Sequence, residues 1–208
     1  MRQRANPNQA LPTQAIRALE AQGFAQGLPM MQRAGQSAAR FAHDHLKPGS
    51  HVLCLVGPGN NGGDALVAAT ELHALGHHVT AVMPAANPNA SADAKQALAQ
   101  WLAAGGKLIK TLPLEKPDLV LDGLFGIGLD RPLTEPYQNI VQTVNDWQTP
   151  VLALDIPSGV DADSGQALGT PIRANWTLAF LAPNLATTVP QARGFCGECW
   201  FEDLDLRP

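Results

Sequence analysis

Val52-Leu53-Cys54-Leu55-Val56-Gly57-Pro58-Gly59-Asn60-Asn61-Gly62-Gly63-Asp64 is an apolar run that ends in a glycine-rich turn, and a helical pattern from Ala65 to Leu75 follows it. In that order, run, turn and helix predict a strand–turn–helix unit. Glycines let backbone N–H groups come close to a ligand, and the helix N-terminus adds partial positive charge, so a unit of this kind binds anions.

Outward from that unit, the pattern repeats. Apolar runs predict further strands at His78–Met83, Lys107–Leu112, Leu119–Leu124, Val151–Ile156, Trp176–Leu181 and Cys199–Leu204, with the opening strand at His51–Val56. Helical periodicity predicts helices at Leu11–Gln22, Pro29–His45, Ala92–Ala104 and Thr134–Trp147. Strands alternating with helices specify an α/β fold: a parallel, doubly wound sheet with helices on both faces. The first, fourth and fifth strands are apolar almost throughout, as strands covered on both faces must be. No linker interrupts the pattern, so residues 1–208 are expected to form a single domain.

Composition narrows the function. In 208 residues, 45% are hydrophobic and 15% charged, which can fill a large core. The net charge of −4 offers no basic footprint for nucleic acid. No apolar run approaches the roughly 20 residues that span a bilayer, and the N-terminus lacks an apolar signal core. A cytoplasmic chain is expected. There are three cysteines. Cys54 reads as a buried thiol. Cys196 and Cys199 form a lone C-x-x-C, a spacing compatible with a redox pair or half a zinc site. It lies beside a strand without a second pair, and reads as two unreactive thiols. His73 and His77 have the i,i+4 spacing of metal ligands, but Gly76 intervenes, and both read as solvated helix-end residues.

Ligands of an open parallel sheet bind beyond the carboxyl ends of its strands. The first strand delivers Asn60, Asn61 and Asp64 there. The fourth delivers Asp122 and then Gly126-Ile127-Gly128-Leu129-Asp130-Arg131-Pro132. The fifth delivers Asp155, Pro157-Ser158-Gly159 and Asp161-Ala162-Asp163. The usual strand order places the first beside the fourth and the fourth beside the fifth, so these clusters meet. Gly57, Gly59 and Gly62 spell G-x-G-x-x-G. A nicotinamide oxidoreductase also needs an acidic residue at the end of the second strand. That strand ends Val82-Met83-Pro84 without one, and Asp64 puts negative charge where a pyrophosphate would sit. Asp122 and Asp155 each read blandly as a turn or cap residue; two of them on adjacent strands, each before a glycine-containing loop, indicate a site. Asn61, Asp122 and Ser158 offer oxygen ligands for a hard cation. Asp155 is left for acid–base work.

Asn60-Asn61-Gly62-Gly63-Asp64, Asp122-Gly123-Leu124-Phe125-Gly126-Ile127-Gly128-Leu129 and Ala153-Leu154-Asp155-Ile156-Pro157-Ser158-Gly159-Val160 together resemble the NAD(P)H-hydrate epimerase family, also called the YjeF N-terminal domain. The likeness covers nearly the whole chain, from Met31-Gln32-Arg33-Ala34-Gly35 to the last strand. It implies a Rossmann-like three-layer α/β/α sandwich around a mostly parallel, doubly wound sheet, and an isomerase that interconverts the R and S epimers of hydrated NADH and NADPH in nicotinamide nucleotide repair, commonly as a homodimer. It implies substrate binding by Asn60, Asn61, Gly62, Gly63 and Asp64, by Gly126, Ile127, Gly128, Leu129, Asp130, Arg131 and Pro132, and by Asp155. It implies potassium held by Asn61, Asp122 and Ser158. The expected functional partner is an NAD(P)H-hydrate dehydratase, which many bacterial members carry fused; with no such domain in these 208 residues, either a stand-alone epimerase or a fragment of a bifunctional protein is expected. Two positions depart from the pattern: Ala65, where many members have Gly, and Asn184, where bacterial members often have Lys. The competing readings are a non-catalytic binding or scaffold module on the same fold, which tends to lose the Asn and Asp motifs kept here, and the oxidoreductase.

Overall fold

A computed structural model describes residues 2–206. In chain order the elements are β1 (Gln3–Arg4), α1 (Thr13–Ala25), α2 (Met30–Asp44), β2 (His51–Val56), α3 (Asn60–Ala74), β3 (His78–Val82), α4 (Ala92–Ala103), β4 (Leu108–Ile109), β5 (Leu119–Gly123), α5 (Tyr137–Trp147), β6 (Val151–Leu154), β7 (Trp176–Phe180), α6 (Arg193–Cys196) and β8 (Glu198–Glu202). The eight strands form one sheet in the order β1-β8-β7-β6-β5-β2-β3-β4. Every pairing is parallel except β1 with β8. The strand expected first, β2, lies beside β5, and β5 beside β6, as the strand pattern predicts.

The period-2 geometry of a strand divides the apolar residues between two cores. On β2, Val52, Cys54 and Val56 join the core under α2, α3 and α4, while Leu53 and Leu55 join the core under α5. Likewise on β5, Leu119 and Leu121 face one core and Val120 the other. This makes the three layers. A third apolar cluster, including Ile156, Val160, Ala186, Ala192 and Cys196, seals the segments after β6 and β7. The α2–α3 packing is close: a Cβ on Gly35 would stand 2.7 Å from the Asp64 carbonyl oxygen and would overlap Val67. Among the described residues no helix is long and apolar enough to cross a membrane.

Several boundaries differ from the sequence expectation for physical reasons. The helix expected from Ala65 begins at Asn60, so Asn60–Asp64 is its first turn rather than a loop. The glycines there are not turn formers: a Cβ on Gly62 would collide with the Gly57 carbonyl oxygen, and one on Gly63 would stand 2.5 Å from the Met31 sulfur. The first predicted helix continues through Gly23 to Ala25, where the missing side chain makes room for Met30. The strand expected to run to Ile156 stops at Leu154, because Asp155 turns into the left-handed region with φ 69°. The third predicted strand shrinks to Leu108–Ile109, and α5 starts after Pro136 rather than at Thr134. β1 carries only two residues and no apolar pattern, so periodicity does not predict it.

His77 is a correction of another kind. It is buried, not solvated, and its Nε2 lies 2.9 Å from His43 Nδ1. Burial and the neighbouring His43 lower its pKa, since both disfavour the imidazolium. His73 is exposed, as expected.

Candidate active site

The carboxyl ends of β2, β5 and β6 open into a cleft of about 560 Å³. The first turn of α3 forms one wall, the loop after β5 a second, and Asp155 the floor. The fourth side is α1, through Ile16, Arg17, Glu20 and Phe24.

Asp155 is fixed through its backbone and its side chain. Its N–H donates to Leu178 O (2.8 Å), and its carbonyl accepts from Asn184 Nδ2 (2.8 Å). Its Oδ2 accepts from the Ile127 N–H (2.9 Å), so the Gly126–Pro132 loop rides on this carboxylate. A non-glycine residue in the left-handed region costs about 1–3 kcal/mol and persists only where its surroundings impose it. Burial pushes the Asp155 carboxyl up to about 7; the Ile127 N–H opposes the rise and the Glu20 charge adds to it. Asp64 is raised well above the usual carboxylate range, by burial first and then by Asp155 and Glu20. Glu20 is itself raised by burial, with Arg17 pulling the other way. The cleft thus holds three carboxyl groups whose proton affinity burial raises, the kind of perturbation that clusters at proton-transfer sites.

Beside this cluster lies a tighter polar knot. Asp122, fully buried at the end of β5, accepts at Oδ1 from Ser158 Oγ (2.7 Å) and Leu124 N (3.2 Å), and at Oδ2 from Ser158 N (2.8 Å). Ser158 Oγ also accepts from Phe125 N (2.9 Å). Burial carries the Asp122 pKa up to about 6 against these donors. Asn61 approaches from α3: its backbone oxygen would stand 2.9 Å from a Cβ on Gly123, and its Nδ2 donates to Leu154 O (3.4 Å). Its Oδ1 is buried and has no hydrogen-bond partner among the described residues. The Asn61 amide carbon and Asp155 Oδ2 lie 3.4 Å and 2.6 Å from where a Cβ on Gly126 would stand, and an orphaned buried amide oxygen is an unusual expense. A hard cation is the species that fits an all-oxygen donor set of this kind.

Of the residues singled out in the sequence, the structure gathers Asn60, Asn61, Asp64, Gly126, Ile127, Gly128, Leu129 and Asp155 around the cleft. Asp122 and Ser158 stand together behind it. Gly62 and Gly63 face away, into the packing of α3. Asp130, Arg131 and Pro132 lie outside the lining; the side chains of Asp130 and Arg131 are 80% and 81% exposed and pair with each other at 3.5 Å. Asn184 is buried and serves the Asp155 backbone. Cys54 is buried and pushed up to about 12 by burial. Cys196 is buried under the third apolar cluster, and its hydrogen bond with Cys199 raises its own pKa and lowers that of Cys199. Arg17 and Glu20 were missed, because only the apolar positions of α1 carry a periodic signal. Their charged spacing looks like that of any solvated helix face.

A mostly parallel open sheet whose switch-point cleft is lined by buried carboxyl groups defines a Rossmann-like α/β protein. The profile of the family described as YjeF-related protein N-terminus matches residues 27–186, and the chain belongs to that family. A Bordetella pertussis protein named NAD(P)H-hydrate epimerase is 50% identical over 197 residues, spanning 93% of this chain and 86% of the relative. One of the same name from Achromobacter xylosoxidans is 56% identical over 167 residues, 80% of each chain. A bifunctional NAD(P)H-hydrate repair enzyme from Gloeobacter violaceus is 42% identical over 161 residues, 74% of this chain and 31% of that longer protein. The crystal structure of yeast YNL200c shares the fold, with a TM-score of 0.78 at 22% identity over 86% of this chain and 83% of that one.

Proposed function

We propose that this protein is an NAD(P)H-hydrate epimerase, an isomerase of nicotinamide nucleotide repair, and that its domain spans residues 1–208 with Asp155 as the acid–base group. The observation that carries the reading is the strained, buried Asp155 carboxyl facing a substrate-sized cleft, with its proton affinity raised to about 7. Relatives named NAD(P)H-hydrate epimerase, alike over most of the chain, support it.

The substrate's reacting carbon carries a hydroxyl and is bonded to the ring nitrogen. Protonated Asp155 gives its proton to that hydroxyl, the C–O bond breaks, and water leaves. The nitrogen lone pair stabilises the resulting cation. Water then adds to the opposite face and returns a proton to Asp155, so atoms and charge balance. The Ile127 N–H keeps the carboxylate aimed, and the Asn60–Asp64 turn and the Gly126–Leu129 segment hold the ring. Asn61, Asp122 and Ser158 would hold potassium, and Asn61 Oδ1 supports that assignment. The ion would supply fixed positive charge that keeps the strand ends and the α3 turn in register. The protein is taken to be a cytoplasmic homodimer working with a dehydratase that consumes one epimer.

Asp155→Asn is expected to lose about 10²–10⁴-fold in epimerisation rate, with unchanged circular dichroism. The assay starts from one purified epimer of hydrated NADPH and follows the epimer ratio by NMR. Full activity in the variant sinks the assignment. Oxidation of the nicotinamide would point to an oxidoreductase, and binding without conversion to a non-catalytic module.

A further inference from the structure

We infer that Arg17 of α1 is the residue that grips the diphosphate of the dinucleotide, and that it sets the preference for a dinucleotide over its nucleoside; this rests on the proposed function. Four charged residues line the cleft: Arg17, Glu20, Asp64 and Asp155. Three are acids, and the ligand brings a diphosphate dianion. Arg17 is the one basic side chain among the described lining residues, so it is the one lining group that offers a diphosphate a fixed positive charge. Arg131, which the sequence pattern placed in the binding loop, points to solvent and pairs with Asp130.

Position agrees with charge. Asp155 Oδ2 lies 2.6 Å from where a Cβ on Gly126 would stand, and Arg17 Nη2 lies 3.3 Å from the same point on Gly128. Gly126 and Gly128 are two residues apart on one segment, at most about 7 Å between α-carbons. A nicotinamide dinucleotide places one ribose between its reacting ring and its diphosphate. A ring held at Asp155 therefore brings the diphosphate to the exposed guanidinium at the cleft mouth. A planar guanidinium suits it, since two parallel N–H donors can meet two phosphate oxygens. Ile16, buried beside it, anchors this turn of α1 at the cleft.

The test is equilibrium calorimetry on the full chain with hydrated NADH already equilibrated between its epimers, so that turnover produces no net heat. Hydrated dihydronicotinamide riboside, which lacks phosphate, is the control ligand. Arg17→Ala is expected to weaken dinucleotide binding about 10–100-fold, the range of a lost charge-assisted contact, and to leave riboside binding within about twofold. Arg17→Lys should recover part of the loss. Equal weakening for both ligands, no weakening for the dinucleotide, or no dinucleotide binding by the wild type overturns the inference. Epimer exchange by the wild type is followed separately by NMR. Its absence alongside an Arg17-dependent affinity removes the proposed function and leaves the phosphate contact standing.

Discussion

Asn61 shows how much a single atom can carry. Its Oδ1 is buried without a hydrogen-bond partner among the described residues, at a cost of about 1–3 kcal/mol for a group of this kind. Asp122 is held by three donors, yet burial still raises its pKa to about 6. A cation bound by Asn61, Asp122 and Ser158, as proposed, would relieve both. Potassium chloride is therefore expected to raise the unfolding temperature relative to tetramethylammonium chloride at the same ionic strength. The stabilisation should amount to about 1–3 kcal/mol at ion concentrations well above the dissociation constant. Asn61→Ala and Asp122→Ala should each abolish the difference in differential scanning fluorimetry. Identical melting in the two salts would show that no potassium-selective site exists. At this scale the sequence was informative, since Asn61, Asp122 and Ser158 announce an oxygen-rich cluster by residue type alone. Arg17 and Glu20 did not announce themselves, because a charged helix position has the same pattern whether it faces water or a cleft.

At the scale of the element, α3 repays attention. Its glycines look like a loop in the sequence because glycine has low helix propensity. In the structure they lie in the helix's first turn, where the lack of a side chain is what allows α3 to sit against Gly57, Met31 and Ala94. Propensity lost to packing here, and the helix start moved from Ala65 to Asn60. Gly62→Ala is expected to destabilise by about 1–3 kcal/mol, as overpacking against rigid backbone does. It should also displace Asn61 and so weaken catalysis, although Gly62 touches no part of the cleft. Urea unfolding reads the first effect and the epimer assay the second. A variant as stable as the parent would mean that the turn between Gly57 and Asn60 yields easily. Asp155 belongs to the same lesson. Its strand was legible from Val151 to Leu154, but the left-handed turn at Asp155 is imposed by Leu178 and Asn184, 23 and 29 residues further along the chain.

For the whole molecule, the buried acids couple folding to pH. Asp155 holds its proton to about pH 7 when folded, whereas an unfolded Asp releases it near 4. Between those values the folded state binds more protons than the unfolded one, so stability falls as pH rises. The contribution is fully present below about pH 4 and has gone above about pH 7. Asp64, raised in the same direction, adds to the slope. Asp155→Asn should flatten the wild-type decline, leaving a variant more stable than its parent at pH 8 and no more stable at pH 4. Denaturant midpoints at a series of pH values measure this; a parent whose stability climbs from pH 5 to pH 7 without a compensating variant effect would refute it.

The sequence by itself determined the layered α/β architecture, because period-2 and period-3.6 apolar patterns are local and each strand's two faces are written in alternate residues. It also determined the chemical kinds present at the strand ends, since Asn, Asp and Ser in short glycine-bearing segments have little to do in a core. Only the tertiary structure decided which of them share a cleft, that α1 closes it with Arg17 and Glu20, that Gly62 and Gly63 serve packing, and that the Asp155 carboxyl is buried enough to hold a proton near neutrality. Those outcomes depend on contacts between residues far apart in the chain. Burial, which sets both the steric role of a glycine and the charge of a carboxyl, is a property of the assembled fold and not of any segment within it.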